Sequence, residues 1–319
     1  MKPRHLLTAA LALASLAGSP LASAQNATPT TVCAAMSDTD SRAVADAFMA
    51  TLNARDLSGF DAIVAPNAVF GTRTAESILG PAGFMDALGG ELTTVPDVTY
   101  IVEQTIADGQ IAVIRWTATG SPATEDDPSG EPHAWTGMFL LRNECGKIGE
   151  ATSAVDQLAQ LGGPGEKHET LEPAAAYTSE PCEEASEDTM RQTVDQLWND
   201  AWNSKDLDAY RDLVTPGVVQ HWSSGDDTAG VDASTERLHQ FFLGIPDLQL
   251  AWQDIAAESD IAAAAWTLTG TNTGDLFGAP ATGKPIAYSG INMFRFECGK
   301  IAEVWSEGDI LRLRQELGQ

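Results

Sequence analysis

Basic side chains are scarce in this 319-residue chain, which has 18 Lys and Arg against 45 Asp and Glu and a formal net charge of −27. Such an excess of negative charge repels phosphates, so we expect no nucleic-acid partner. We interpret it as a solvated surface, with an acidic binding patch as the alternative. The acidic clusters at 125–127 and 226–227 lack the alternating ligand spacing of a calcium loop, and we expect no metal.

Long apolar runs and cofactor motifs are also missing. The run Leu6–Leu16 is too short for a membrane span, which takes about 20 apolar residues, and no later segment is long enough. Nothing resembles a nucleophile elbow, a phosphate-binding loop, a dinucleotide fingerprint or zinc-ligand spacing. We therefore expect neither a membrane span nor a cofactor.

The first residues have the pattern of a secretory signal. A positive start at Lys2 and Arg4 precedes the apolar run, and Ala22-Ser23-Ala24 forms a small-residue cleavage site. We predict a signal peptide over 1–24, cleavage near Ala24 and export to the periplasm or the extracellular space. A lipoprotein is the alternative, but Cys33 follows Thr30-Thr31-Val32, which is a poor lipidation site.

The chain contains two copies of one unit. GMFLLRNECGKIGEATSAVD at Gly137–Asp156 returns as GINMFRFECGKIAEVWSEGD at Gly290–Asp309. A repeat at this spacing indicates a duplicated domain. We predict domains at 36–162 and 186–319, joined over 163–185 by a linker rich in Gly, Pro and Glu.

Each copy has two of the four cysteines, and four cysteines allow three pairings. Cys33 and Cys182 precede the first helix of their copies, whereas Cys145 and Cys298 lie in the repeated ECGKI turn. The simplest arrangement that is equivalent in both copies is Cys33–Cys145 and Cys182–Cys298. We expect these bridges to be structural.

In both copies, segments of helical periodicity come first and alternating segments typical of strands follow. In the second copy, helices are predicted over 189–203, 207–214 and 234–243. Strands are predicted over 218–221, 248–256, 261–271, 284–297 and 301–306. This order indicates the α+β class, with a curved antiparallel sheet over a few helices.

Several segments of the second copy resemble one family. WNSKDLDAYRDLVTPGVVQHW, FFLGIPDL and GTNTGDLFGAPATGKPIAYSGINMFRFECGKIAEVWSEGD are similar to the SnoaL-like polyketide cyclases, or ester cyclases, of the NTF2-like superfamily. The resemblance covers 189–318; the first copy resembles the family more weakly over 41–162. It implies two cone-shaped α+β barrels, each enclosing an apolar pocket. It also implies metal-free, cofactor-free ring closure of a polyketide ester through proton transfer by an acidic residue.

Three residues of the second copy are candidate catalytic groups, because proton abstraction next to a carbonyl needs a base within hydrogen-bond reach. His221 ends a short strand, at a position where the family often has His; a half-buried structural His is the alternative. Asp309 follows the last strand, and capping of the next helix is the alternative role, favoured slightly over catalysis. Glu303 lies two residues from Trp305 on one strand, so both face the same side, towards either a cavity or a partner domain.

The candidate ligand-binding residues are Asn292, Trp305, Trp202, Trp222 and Trp266. His221, Asn292 and Trp305 have no counterpart in the first copy, whereas Glu303 and Asp309 correspond to Glu150 and Asp156. Groups found only in the second copy are the better candidates for function. We therefore expect any enzymatic activity in the second domain.

Two functions remain open at this point. The second domain either binds a small, largely apolar carbonyl compound and cyclises or isomerises it, or the exported pair of domains is a non-catalytic module that binds a ligand or another protein. NTF2-like domains often pair through the outer faces of their sheets. We therefore expect the two copies to pair with each other as a pseudo-dimer in a monomeric protein.

Overall fold

A computed structural model describes residues 33–71, 78–121, 132–160, 182–223 and 227–318. The predicted signal peptide lies outside the described residues, as does the predicted linker up to residue 181. Two domains follow one another in the chain, and each has helices packed on one curved sheet.

The first domain starts at Ser37, whose side chain exchanges hydrogen bonds with Asp40 in a capping box that begins helix α1. Its helices are α1 (Asp38–Ala54), a 3-10 turn (Leu57–Gly59), α2 (Phe60–Ile63), α3 (Gly80–Thr94) and α4 (Gln157–Gln160). Its strands are β1 (Val64–Gly71), β2 (Ile78–Leu79), β3 (Thr99–Asp108), β4 (Ile111–Gly120), β5 (His133–Glu144) and β6 (Lys147–Val155).

The second domain repeats this order. Its helices are α5 (Glu187–Gln196), a π-helical segment (Leu197–Asn203), α6 (Leu207–Leu213), α7 (Val231–Gly244) and α8 (Ile310–Leu317). Its strands are β7 (Val214–Trp222), β8 (Thr228–Ala229), β9 (Gln249–Glu258), β10 (Ile261–Thr271), β11 (Pro285–Glu297) and β12 (Lys300–Gly308). None of the described helices is long and apolar enough to cross a membrane.

Both sheets have the same topology, β2-β1-β6-β5-β4-β3 and β8-β7-β12-β11-β10-β9. The predicted α+β fold is confirmed, with one correction. Strand β1 runs parallel to β6, and β7 runs parallel to β12. Each sheet is therefore mixed rather than wholly antiparallel. Between β1 and β6, and between β7 and β12, the chain passes through a helix and the first three strands of a four-stranded meander. Parallel neighbours require a long connection of this kind.

Each domain has its own apolar core between its helices and the inner face of its sheet. In the first domain Phe48, Phe60 and Phe84 are completely buried. In the second domain Trp198 and Phe294 pack edge to face, with ring centroids 5.9 Å apart. Removing such side chains from water is worth about 2–3 kcal/mol each, so each core stabilises its own domain.

A third apolar cluster joins the outer faces of the two sheets. Its buried members come from both domains: Ile106, Val113, Met138, Leu140, Ala154, Ala256, Ile261, Ala263, Ala265, Ile291 and Met293. Ion pairs flank it in mirrored positions, since Arg42 binds Glu258 at 2.5 Å and Arg191 binds Asp108 at 2.5 Å. Glu258 also accepts from the backbone N–H of Ala107, and Asp108 from that of Ala257.

The cysteines are oxidised throughout the described chain. Cys182 and Cys298 form a disulfide whose Cα atoms are 4.8 Å apart. Cys33 and Cys145 are disulfide-bonded as well. The bridge of the second domain ties the residues before α5 to the β11–β12 turn, where Cys298 has a positive φ of 51°.

Candidate functional site

The second domain encloses a cavity between its helices and the inner face of its sheet. The cavity has a volume of about 30 Å³, which is room for one or two water molecules, so its aromatic side chains must move apart to admit a larger ligand. Aromatic rings make up much of the wall. The lining residues are Trp198, Trp202, Trp222, Ser223, Phe241, Leu250, Trp266, Leu268, Tyr288, Asn292, Ser306, Gly308 and Ile310.

One extra residue in the second copy shapes the helical wall of this cavity. Asn53 and Asn203 are structurally equivalent, because each bonds both backbone groups of one strand residue, Tyr100 and Leu250 respectively. From the N-cap Ser37 to Asn53 the chain is one residue shorter than from the N-cap Ser186 to Asn203. The helix accommodates the insertion as a π-helical segment, a feature often found at functional sites. Both Trp198 and Trp202 lie in this segment.

Asn292 is the central polar group of the cavity. Its Oδ1 accepts from Trp266 Nε1 at 2.8 Å and from Ser306 Oγ at 2.9 Å. The indole N–H can only donate, so this contact fixes the orientation of the amide. The Asn292 amide nitrogen is then the donor left for a ligand in the cavity.

Gly290 has no side chain, which lets the Trp266 ring pack directly on the backbone of β11. A Cβ at Gly290 would be 2.4 Å from Trp266 Cζ2 and 2.2 Å from the Glu307 backbone oxygen. Real Cβ atoms essentially never approach so closely, so any larger residue at this position must displace the Trp266 ring or the neighbouring strand. Tyr288, two residues earlier on β11, meets the same ring edge to face at 5.3 Å.

Three predicted site residues lie on the other face of the sheet. Strand neighbours alternate between faces, so Trp222 and Ser306 line the cavity while His221, Glu303 and Trp305 point outwards. His221 stacks on Trp305 with 5.7 Å between ring centroids. The Arg115 guanidinium, from the first domain, lies 4.5 Å from the centre of the Trp305 ring. Neither Glu303 nor Trp305 lines the cavity.

The environment of His221 favours its charged form. Nδ1 lies 2.6 Å from Asp227 Oδ2 and Nε2 lies 2.9 Å from Glu303 Oε1. Burial lowers the pKa of His221, but the two carboxylates outweigh this and raise it to about 9. Burial likewise raises the pKa of Glu303, and hydrogen bonds from His221 and Arg295 more than reverse this, so the net shift is downwards. At neutral pH His221 therefore donates from both ring nitrogens and has no free lone pair to act as a base.

Asp309 begins helix α8 as its N-cap. Its Oδ1 accepts from the backbone N–H of Arg312 at 3.2 Å. Burial raises the pKa of Asp309. The carboxyl is absent from the cavity wall, so the structure contains the capping arrangement that was the alternative to catalysis.

The sequence analysis therefore predicted part of the cavity lining. Asn292, Trp202, Trp222 and Trp266 line the cavity, and Trp305 does not. Trp198, Tyr288 and Ser306 line it without having been predicted. The spacing of Trp198 and Trp202 by four residues, on one face of a helix, was the available signal for Trp198.

A cluster of possible metal ligands is explained by the disulfide. Cys182, Glu184 and Cys298 place one ligand atom each within 4.8 Å of one another. Both sulfur atoms are already bonded to each other. Thiolates are the form that binds metals, so this group does not indicate a metal site.

Comparisons with known families match each domain separately. Residues 192–317 match the SnoaL-like polyketide cyclase family, and residues 45–151 match the SnoaL-like domain family. No curated protein matches the chain significantly.

Solved structures similar to this chain correspond to one domain each. One is described as a SnoaL-like polyketide cyclase from Jannaschia sp. CCS1, with 23% identity, a TM-score of 0.40, and coverage of 42% of this chain and 96% of that one. TsrD from Streptomyces laurentii has 25% identity, a TM-score of 0.39 and coverage of 42% and 98%. IdmH from Streptomyces antibioticus, described as a polyketide cyclase, has 27% identity, a TM-score of 0.36 and coverage of 40% and 98%.

Proposed function

This chain belongs to the SnoaL-like family as a tandem of two domains, and we propose that its second domain binds a small, largely apolar carbonyl compound without transforming it. The observation that carries the proposal is the wall of the cavity. It contains four tryptophans and the Asn292 amide. The amide oxygen accepts two hydrogen bonds from the protein, and the amide nitrogen can donate one to a ligand oxygen.

The aromatic wall favours a flat apolar ligand. Indole rings bury large apolar areas and stack on planar groups. A buried carbonyl oxygen also needs a donor, because a polar group buried without a hydrogen bond costs about 1–3 kcal/mol. The Asn292 amide supplies that donor, and the Ser223 hydroxyl, which accepts from the backbone N–H of Gly308 at 3.0 Å, is a second one.

The cyclase alternative requires a base that reaches the ligand. Among the described residues, the cavity wall contains no Asp, Glu, His, Lys or Cys. Tyr288 is its one titratable side chain, and burial raises its pKa, which keeps it protonated at neutral pH. His221, Glu303 and Asp309 remain catalytic predictions, but none of them lines the cavity. These positions favour binding over proton transfer.

Binding is tested by titrating the protein with 1-indanone and with indane, which lacks the carbonyl, and by following tryptophan fluorescence. One hydrogen bond should make 1-indanone bind about five- to tenfold more tightly. Asn292→Asp keeps the two acceptor contacts but removes the donor, so it should abolish this preference. Asn199→Asp, on an exposed residue, is the matched control. Equal binding of the two compounds to the unmodified protein would refute the proposal.

Export and domain pairing complete the proposal. The disulfides favour a non-reducing compartment, in agreement with the predicted signal peptide.

The apolar cluster between the sheets and the mirrored pairs Arg42–Glu258 and Arg191–Asp108 support pairing of the two domains as a pseudo-dimer, because a two-fold contact repeats each interaction. Light scattering should give the mass of one chain; a tight dimer with separated domains would contradict the pairing.

A further inference from the structure

An apolar groove lies at the surface of the second domain, between helix α8 and the loop 272–284 that joins β10 to β11. Its volume is about 370 Å³, which is in the range of small-molecule sites, whereas the inner cavity has about 30 Å³. Its walls include Leu276 and Phe277 of the loop and Leu313 and Leu317 of the helix. Arg314 is the one charged side chain among the described residues that line it. The groove therefore has the room that the cavity lacks, and its walls suit an apolar chain.

The groove and the cavity share a wall. Phe241 and Ile310 line both of them. On the cavity side, the centroid of the Phe241 ring lies 5.5 Å from that of Trp202. On the groove side, it lies 4.8 Å from that of Phe277. The Phe241 ring therefore stands between the two spaces, and turning it aside joins them.

Phe277 lies beside the groove in an unfavourable backbone conformation. The backbones of Leu276 and Ala279 exchange two hydrogen bonds of 2.9 Å, and Phe277 and Gly278 between them have φ of 49° and 82°. A two-residue turn with positive φ at both positions normally begins with Asn, Asp or Gly, because a bulky side chain is strained there. Phe277 is also 43% exposed. Strain of this kind clusters at ligand sites, which supports a ligand in the groove.

The base of this loop is fixed, whereas its tip is at the surface. Asn272 is completely buried, and its Oδ1 accepts from the backbone N–H of Thr282 at 2.7 Å, which ties the two ends of the loop together. Leu276 is 2% exposed and belongs to the core of the domain. Because Phe277 is half-exposed and lies beyond these anchors, its ring can swing away and give Phe241 room to turn.

We propose that the groove is the outer half of the ligand site of the second domain, and that the ligand is an aryl ketone with an alkyl chain. This inference rests on the function proposed above. The aromatic ring and the carbonyl group occupy the cavity, where Asn292 donates to the oxygen, and the alkyl chain lies in the groove. Phe241 is the gate between the two halves, and turning its ring enlarges the cavity and lets the chain pass.

Two ketones that differ only in chain length test the groove by isothermal titration calorimetry of the full-length protein. Hexanophenone has four more methylenes than acetophenone. Each methylene that leaves water should strengthen binding about three- to fourfold, so hexanophenone should bind on the order of 100-fold more tightly. Ala279→Trp fills the groove and should reduce this ratio to below about tenfold. Ala233→Trp, at an exposed position on α7, is the matched control and should keep the ratio.

Stopped-flow tryptophan fluorescence tests the gate. Because the Phe241 ring must turn before the chain can pass, the observed binding rate of hexanophenone should reach a plateau as its concentration rises. Phe241→Leu should raise that plateau severalfold, because the smaller side chain leaves the passage open. Phe277→Ala, at an exposed position, should raise it as well without altering the core. Phe84→Leu, which removes a completely buried ring from the first domain, is the matched control and should leave the plateau unchanged.

The outcomes separate the groove from the function proposed above. Equal affinity for the two ketones, or a ratio that persists in Ala279→Trp, would overturn the groove as the site of the chain, while tighter binding of 1-indanone than of indane would leave the proposed function standing. If that preference is absent but the ratio falls in Ala279→Trp, carbonyl recognition in the cavity is wrong and the groove remains a site for apolar chains. A binding rate without a plateau, or a plateau that neither Phe241→Leu nor Phe277→Ala changes, would refute Phe241 as the gate.

Discussion

Replacing His221 by glutamine should remove a large pH-dependent contribution to stability. The imidazolium joins the carboxylates of Asp227 and Glu303, and Arg295 holds Glu303 from its other side at 2.9 Å. Folding raises the pKa of His221 from 6.5 to about 9. The proton is therefore bound more tightly in the folded state, which stabilises that state.

The size of this contribution to the free energy of unfolding, and its change with pH, follow from proton linkage. A shift of this size corresponds to about 3 kcal/mol, at 1.36 kcal/mol per pKa unit. Because the folded pKa lies above the unfolded one, the contribution is fully present below pH 6.5 and is lost as the pH rises through 9. Between pH 6.5 and pH 10, the unmodified protein should lose about 3 kcal/mol of unfolding free energy that His221→Gln does not lose.

Urea denaturation at a series of pH values measures this difference. Other groups that titrate in the range act equally in both proteins and cancel in the comparison. His239→Gln is the matched control, because His239 is exposed on α7, and it should follow the unmodified protein. Equal pH dependence of unfolding in all three proteins would refute the assignment of a charged His221.

His221 also tests which face of the sheet carries function. The side chain lies on the face opposite the cavity, so His221→Gln should leave the affinity for 1-indanone unchanged. A loss of affinity in a variant that remains folded would show that the outer face contributes to the ligand site.

Two further predictions concern the cavity floor and the disulfide. In Gly290→Ala the new methyl group meets the Trp266 ring and the Glu307 backbone. The resulting overpacking should destabilise the second domain by about 1–3 kcal/mol, measured by thermal unfolding. It should also shift the NMR signal of the Trp266 indole N–H. Breaking the Cys182–Cys298 bond, which spans a sequence separation of 116, by a double Ser substitution should cost up to about 4–5 kcal/mol by the loop-entropy relation and lower the unfolding midpoint. An unchanged midpoint would mean that the bridge does not constrain the unfolded chain.

Local pattern predicted most of the fold. The repeated ECGKI segment indicated the duplication, and the order of helical and alternating segments indicated two α+β domains. The parallel pairing of β1 with β6 was not predicted, because a strand's sequence does not specify its neighbour when a helix and several strands intervene. The π-helical segment was missed for a different reason. A one-residue insertion is visible only when the N-cap and the strand-binding Asn203 are both located in space.

The candidate site shows the same division between sequence and structure. Alternation along a strand was enough to place Glu303 and Trp305 on one face and Val304 on the other. It could not say which face meets the cavity, because that depends on how the sheet curves over its helices and on what covers its outer side. In this protein Arg115 of the first domain lies over the Trp305 ring on that side.

The amino-acid sequence by itself determined the duplication, the two α+β domains and the aromatic character of the second core, because these depend on spacing and composition along the chain. Only the tertiary structure decided that Asn292 lines the cavity while His221 and Glu303 lie on the opposite face of the sheet. These outcomes depend on contacts between strands and helices that are distant in the chain, and no local pattern specifies such contacts.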